Sequence, residues 1–329
     1  MKRPVRQFVS LAAAALLVAG CGSDEQAAST GWVDDQVEFS ADGLTLYGTY
    51  RHRNETGPAA LLISESGQTD RNGDNVVAGP VGNMRQLAEL LSERDVASLR
   101  YDKVGTGRTG LGPYASRPAD VGTAVYTSGA AAALRFLAAQ PDTDRDRVSV
   151  YALGEGTVHA MSLAAAGDPK VHSLALLQPL AARYLDIITE RVRGEADPQV
   201  LTSWLAAVEE IRTEGTVPAQ LPEGLGAIVN AGNIKAVIEA DRVDPLALAA
   251  KVPAGTPVLL SCSDSDAQAR CEALRPLIGA LKHTALTVVE LEGVNHVLRD
   301  DPSDNVANYA QQAPLSPQLV GALDGFVTK

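Results

Sequence analysis

Six short apolar runs, each set apart from the next by a stretch of helical spacing, limit the folds open to this chain more than any other feature. The runs are Ala59–Ile63, Val96–Tyr101, Val148–Ala152, Ser173–Leu177, Val258–Ser261 and Ala285–Leu291. Each is too short for a helix and rich enough in aliphatic residues for a buried strand. Between them Met84–Ser92, Ala124–Ala139 and Val158–Ala166 carry apolar residues at helical spacing, and a last helix is expected from about Pro317. Strands alternating with helices imply a mostly parallel sheet covered on both faces, an α/β fold. Ahead of the first run, Val37–Phe39 and Leu44–Tyr50 alternate apolar and polar residues about Ala41-Asp42-Gly43 and read as a hairpin. The alternation stops after Pro179. From about Ala181 to Ala250 only helical segments appear, broken by Gly and Pro clusters. That stretch, 181–250, is expected to be a helical cap inserted into a sheet domain made of 35–180 and 251–329.

The first 20 residues read as a signal peptide. Lys2, Arg3 and Arg6 precede an apolar run, Phe8 to Ala19, that is short for a bilayer span. The run ends in Val18-Ala19-Gly20-Cys21, which resembles the lipobox of bacterial lipoproteins. The resemblance implies lipidation of Cys21, a polar tether over 21–34, and a place on the outer face of the cytoplasmic membrane. Losing the three leader cations takes the formal net charge from −12 to −15. So acidic a body argues against nucleic acid as a partner.

Once Cys21 is spent, Cys262 and Cys271 remain. In an oxidising compartment two cysteines suggest one disulfide. No Cys-x-x-Cys and no nearby histidine pair completes a zinc site, and no metal or other cofactor is expected.

Loops at the carboxyl ends of parallel strands gather functional groups. Four here carry motifs. Ser66-Gly67-Gln68-Thr69-Asp70-Arg71-Asn72-Gly73 follows the first run of the sheet. Arg100-Tyr101-Asp102-Lys103-Val104-Gly105-Thr106-Gly107 follows the second. Its glycines fit a dinucleotide loop, but Leu111-Gly112-Pro113 opens no helix, so that reading fails. Tyr151-Ala152-Leu153-Gly154-Glu155-Gly156 runs from strand into turn and helix. Asp264 and Asp266 follow Val258–Ser261, and Gly293-Val294-Asn295-His296 follows the last strand.

Together these loops resemble the α/β-hydrolases, in particular bacterial esterases and serine-aminopeptidase-like hydrolases, over the chain from about Gln36 onward. In that family the turn is Gly-x-Ser-x-Gly, and Gly154 stands at the serine. The resemblance implies that Ser66, Gly67 and Glu155 belong to the oxyanion hole. It implies Asp266, with Asp264 as the fallback, for the triad acid and His296 for the base, in the family's chain order. It assigns the Arg100–Gly107 stretch to the floor of the site. Glycine reaches the left-handed elbow conformation without strain, so Gly154 fits a fold kept after its nucleophile is gone. The expectation is a pseudo-hydrolase that binds a small or acyl ligand. The alternatives are an ester or peptide hydrolase using Asp266 and His296 by another route, with water or Ser66 as nucleophile, and a lipoprotein that binds a partner through its cap. The other histidines, His52, His159, His172 and His283, read as surface or packing residues.

Overall fold

The computed structural model describes residues 31–327 except 196, 220, 222 and 223. Cys21, the signal peptide and most of the tether lie outside the described residues. One eight-stranded sheet forms the centre: β1 (Val33–Ala41), β2 (Leu44–His52), β3 (Gly57–Ile63), β4 (Ala97–Tyr101), β5 (Thr143–Leu153), β6 (Leu174–Leu177), β7 (Pro257–Ser263) and β8 (Ala285–Leu291). Their spatial order is β1-β2-β4-β3-β5-β6-β7-β8. Only β1 with β2 and β2 with β4 run antiparallel. The expected hairpin forms, turning through Asp42 and Gly43 at φ 48° and 80°.

Helices α1 (Asn83–Ser92), α2 (Thr123–Ala138), α3 (Gly156–Ala166), α8 (Arg275–Ala280) and α9 (Pro317–Val327) flank the sheet. Apolar residues of alternate parity along the strands bury on opposite faces. Leu61, Leu99, Val150 and Leu176 join the cluster with α2 and α3, whereas Leu62, Tyr151, Leu177 and Leu259 join α1 and α9. Between β6 and β7 lie α4 (Tyr184–Glu195), α5 (Pro198–Glu214), α6 (Ile234–Arg242) and α7 (Pro245–Ala249). The first three enclose their own apolar cluster around Trp204, Leu185, Val208 and Ile211, whereas α7 packs on the sheet domain through Leu246, Leu248 and Ala249. Asp241 ties the group together, accepting from Arg183 Nη2 at 2.8 Å, Arg212 Nε at 2.9 Å and the Leu185 amide at 2.9 Å.

Two strands start four or five residues ahead of their expected beginnings. β1 begins at Val33, so the last two residues of the expected tether are strand. Asp34 and Asp35 are anchored there by Arg51 and His52 on the paired strand, at 3.2 and 3.0 Å. β5 begins at Thr143, whose backbone pairs with Gly57 although Asp144 to Arg147 show no apolar run.

Cys262 and Cys271 form a disulfide. It closes a loop of nine-residue separation that contains Asp266. Loop entropy predicts that Cys262→Ser/Cys271→Ser loses about 2.7 kcal/mol in a denaturant titration. A midpoint equal to that of the parent would rule out a stabilising role.

Candidate functional site

The elbow is built as its sequence suggests, and its central residue explains why. β5 ends at Leu153, Gly154 takes φ 54°, and α3 opens at Gly156. The Gly154 amide donates to Leu177 O at 3.1 Å, and its carbonyl accepts from Thr157 N and Oγ1 at 3.1 and 2.6 Å. Gly156 lies so near the carbonyls of Ile63 and Ser64 that a Cβ there would meet them at 2.8 and 3.0 Å. The helix start is thereby pressed against the end of β3, beside the residue that follows it.

That neighbourhood contains Glu65, which the motif reading passed over as the start of a polar loop. A Cβ on Gly154 would fall inside the Glu65 carboxylate. Glu65 Oε1 accepts from the Ser66 amide at 2.6 Å and the Glu155 amide at 3.3 Å. Those are two of the three residues expected to form the oxyanion hole. Gly67, the third, supplies a left-handed turn at φ 64°. Glu65 Oε2 lies 2.9 Å from His296 Nε2. One carboxylate therefore meets two backbone amides with one oxygen, and His296 and the space beside Gly154 with the other. It also faces the positive end of α3.

His296 and Asp266 meet as expected. His296 Nδ1 lies 2.8 Å from Asp266 Oδ2, and Asp266 Oδ1 accepts from the Gln268 amide at 2.7 Å. Asp264 does not meet His296. Its carboxylate accepts from the Gly293 amide at 2.8 Å and so braces the histidine loop. Ser263 Oγ donates to Val294 O at 2.6 Å, and Gln178 Nε2 to Asn295 O at 3.1 Å, holding the same loop from below. Ser66 contributes its amide, while the His296 Nε2 position is taken by Glu65.

Carboxylate oxygens flank both imidazole nitrogens, so both nitrogens must donate and the ring is an imidazolium. Burial alone would push His296 down. The hydrogen bonds and charges of Asp266 and Glu65 outweigh it and carry the ring up to about 10. Burial alone would likewise raise Glu65, and His296 with Ser66 brings it down to about 2. The pair is charged at neutral pH.

The Arg100–Gly107 stretch, which the resemblance assigns to the floor, is bonded to the first motif loop and to Glu65. Asp102 accepts from Arg71 N at 3.0 Å, Arg71 Nη2 at 2.7 Å and Arg108 N at 2.9 Å, joining the first two motif loops. Lys103 is buried beneath Glu65 and donates to the carbonyls of Ser64 and Glu65. His159 is also buried, with Nδ1 2.9 Å from Thr127 Oγ1. Burial, then the charge of Lys103, lowers it to about 3 and keeps it neutral.

Above the floor lies a cavity of about 270 Å³. Val158 and Leu180 line it from the sheet side, and Ile187, Ile188 and Val243 from the helical segment. Glu65 and Glu155 are at its base and Arg191 is exposed on its wall. No group of three or more possible metal ligands occurs among the described residues.

No family model and no curated protein sequence matches the chain. Solved structures do. DcsB in complex with its substrate analogue superposes with a TM-score of 0.58 at 16% identity, covering 90% of this chain and 98% of that one. The Pyrococcus furiosus esterase PF2001 gives 0.58 at 15%, covering 91% of each. Est1E from Butyrivibrio proteoclasticus with bound ferulic acid gives 0.55 at 17%, covering 89% and 100%. At such identities the likeness speaks for architecture, and that architecture, along nearly the whole described chain, is the α/β-hydrolase fold.

Proposed function

We propose that this protein is a pseudo-hydrolase, a non-catalytic binding protein that keeps the hydrolase cavity and uses it for a small ligand. The observation that supports this reading is the Glu65 carboxylate, which fills the nucleophile's place and takes the hydrogen bonds of the oxyanion hole. Covalent serine catalysis needs a hydroxyl beside a neutral imidazole and a vacant hole for the developing oxyanion. Here residue 154 has no side chain, the imidazole holds both protons, and the hole is occupied. The alternative route, in which His296 activates water directly, meets the same obstacle, because a general base must have a free lone pair.

The purified protein is expected to hydrolyse activated phenyl esters no faster than buffer, and a fluorophosphonate probe should leave it unlabelled. Turnover that disappears in His296→Ala would overturn the reading. Labelling of Ser66 would revive the alternative nucleophile.

We also propose that the chain is exported and anchored through lipid on Cys21. The basic leader, its short apolar run and Val18-Ala19-Gly20-Cys21 support this. Labelled palmitate should enter the parent in bacterial cells and not Cys21→Ser, which should also leave the membrane fraction. Equal labelling of both would sink the anchor.

A further inference from the structure

We infer that the cavity is an ammonium site, selecting a monocationic amine with a compact apolar body, and that the Glu155 side chain is its recognition element. The inference deepens the non-catalytic reading and rests on it.

Glu155 follows the elbow glycine and lines the cavity base. Its amide serves Glu65, but its carboxylate receives no hydrogen bond and no ion pair among the described residues. Every other carboxylate of the site has donors. Glu65 has Ser66, Glu155 N and His296, and Asp266 has His296 and Gln268. Lys103 acts on Glu155 through space, yet it directs hydrogen bonds to the carbonyls of Ser64 and Glu65. A half-buried carboxylate that lines a cavity and lacks donors is stabilised by a ligand that supplies N–H groups and a positive charge.

The surroundings agree. Burial, then the opposing influence of Lys103 and the added repulsion of Glu65, leaves Glu155 raised from its ordinary value. Tyr184 lines the same cavity. After burial, the charge of Glu155 is the next cause raising its phenol. A carboxylate and an aromatic ring in one cavity suit an ammonium head. Val158, Leu180, Ile187, Ile188 and Val243 then offer an apolar sleeve. At roughly 30 Å³ per water the cavity equals about nine water volumes, space for about ten heavy atoms. Arg191, joined to Gln268 at 3.0 Å on the exposed side, disfavours a second positive charge on the ligand.

The test is calorimetric titration of the purified full-length chain with three ligands of one shape: phenylpropylammonium, phenylpropanol and phenylpropionate. The amine is expected to bind at least about tenfold more tightly than the alcohol, and the carboxylate more weakly still. Glu155→Gln should abolish the preference for amine over alcohol while leaving the alcohol's own affinity. Equal binding of amine and alcohol, a preference for the carboxylate, no binding of the amine, or a preference that survives in Glu155→Gln would each overturn the inference. The comparison of ligand charges needs only the parent, so it stands even if the variant folds poorly. Turnover of phenylpropyl acetate in the same samples would instead overturn the non-catalytic reading. Absence of turnover without an amine preference would leave that reading standing and remove only the ligand class.

Discussion

Gly154→Ser together with Glu65→Ala is expected to give this site weak esterase activity, whereas Gly154→Ser alone is expected to do nothing. A serine Cβ at 154 coincides with the Glu65 carboxylate. The single variant must therefore expel Glu65 or distort the elbow, and His296 remains an imidazolium while that carboxylate is near. Deleting the carboxylate empties the hole, frees the amides of Ser66 and Glu155, and leaves His296 with Asp266 alone, the arrangement a general base requires. A complete triad is worth about 10⁶ in turnover. A site without further optimisation should recover part of that, about 10² to 10³ over the parent on an activated phenyl ester. The activity should vanish again on adding His296→Ala. A single variant as active as the double would mean that Glu65 does not block the site. A folded double variant without activity would mean that the remaining geometry has drifted from catalytic use.

Glu65→Ala by itself should cost about 2 kcal/mol of stability near neutral pH, since it removes one member of a part-buried ion pair and leaves its partner and two amide donors without it. The dependence on pH follows from the two shifts. Glu65 is held below its ordinary 4.5, so its contribution is complete above that value and is lost as pH falls through about 2. His296 is held above its ordinary 6.5, so its contribution is complete below that value and is lost as pH rises through about 10. The stability gap between parent and variant should be widest between pH 4.5 and 6.5 and narrow on both sides. Denaturant titrations at pH 3, 5.5 and 9 would measure it. A gap that does not change across these conditions would mean the pair is not ionised in the folded protein.

The architecture was readable because its signals are local. β3, β4, β6, β7 and β8 coincide with aliphatic runs to within two residues at either end, as buried strands of a parallel sheet should. The elbow, Asp266 and His296 were readable because each occupies a fixed place after a strand. What escaped depends on contacts remote in sequence. Glu65 meets His296 across 231 positions, and a glutamate opening a polar loop has no period or spacing to mark it. The available clue was volume: a glycine at an elbow meant for a serine leaves a space that some neighbouring side chain must fill. β1 and β5 began early for a related reason. Charged residues stand just inside the start of each, and partners on other strands hold the segments extended: Arg51 and His52 for Asp34 and Asp35, and Gly57 for Thr143.

The shared volume of Gly154 and Glu65 also acts as a ratchet. A side chain on residue 154 and the Glu65 carboxylate in its present place exclude one another. On the proposed reading, a hydroxyl at 154 cannot be reached by one substitution while Glu65 stays. The carboxylate resembles a hydrolysis product that never departs, covalently tethered to the chain and held by Ser66, Glu155 and His296. Under that reading the wall of the cavity is free to vary, whereas a serine nucleophile requires two coordinated changes, the first of which gains nothing.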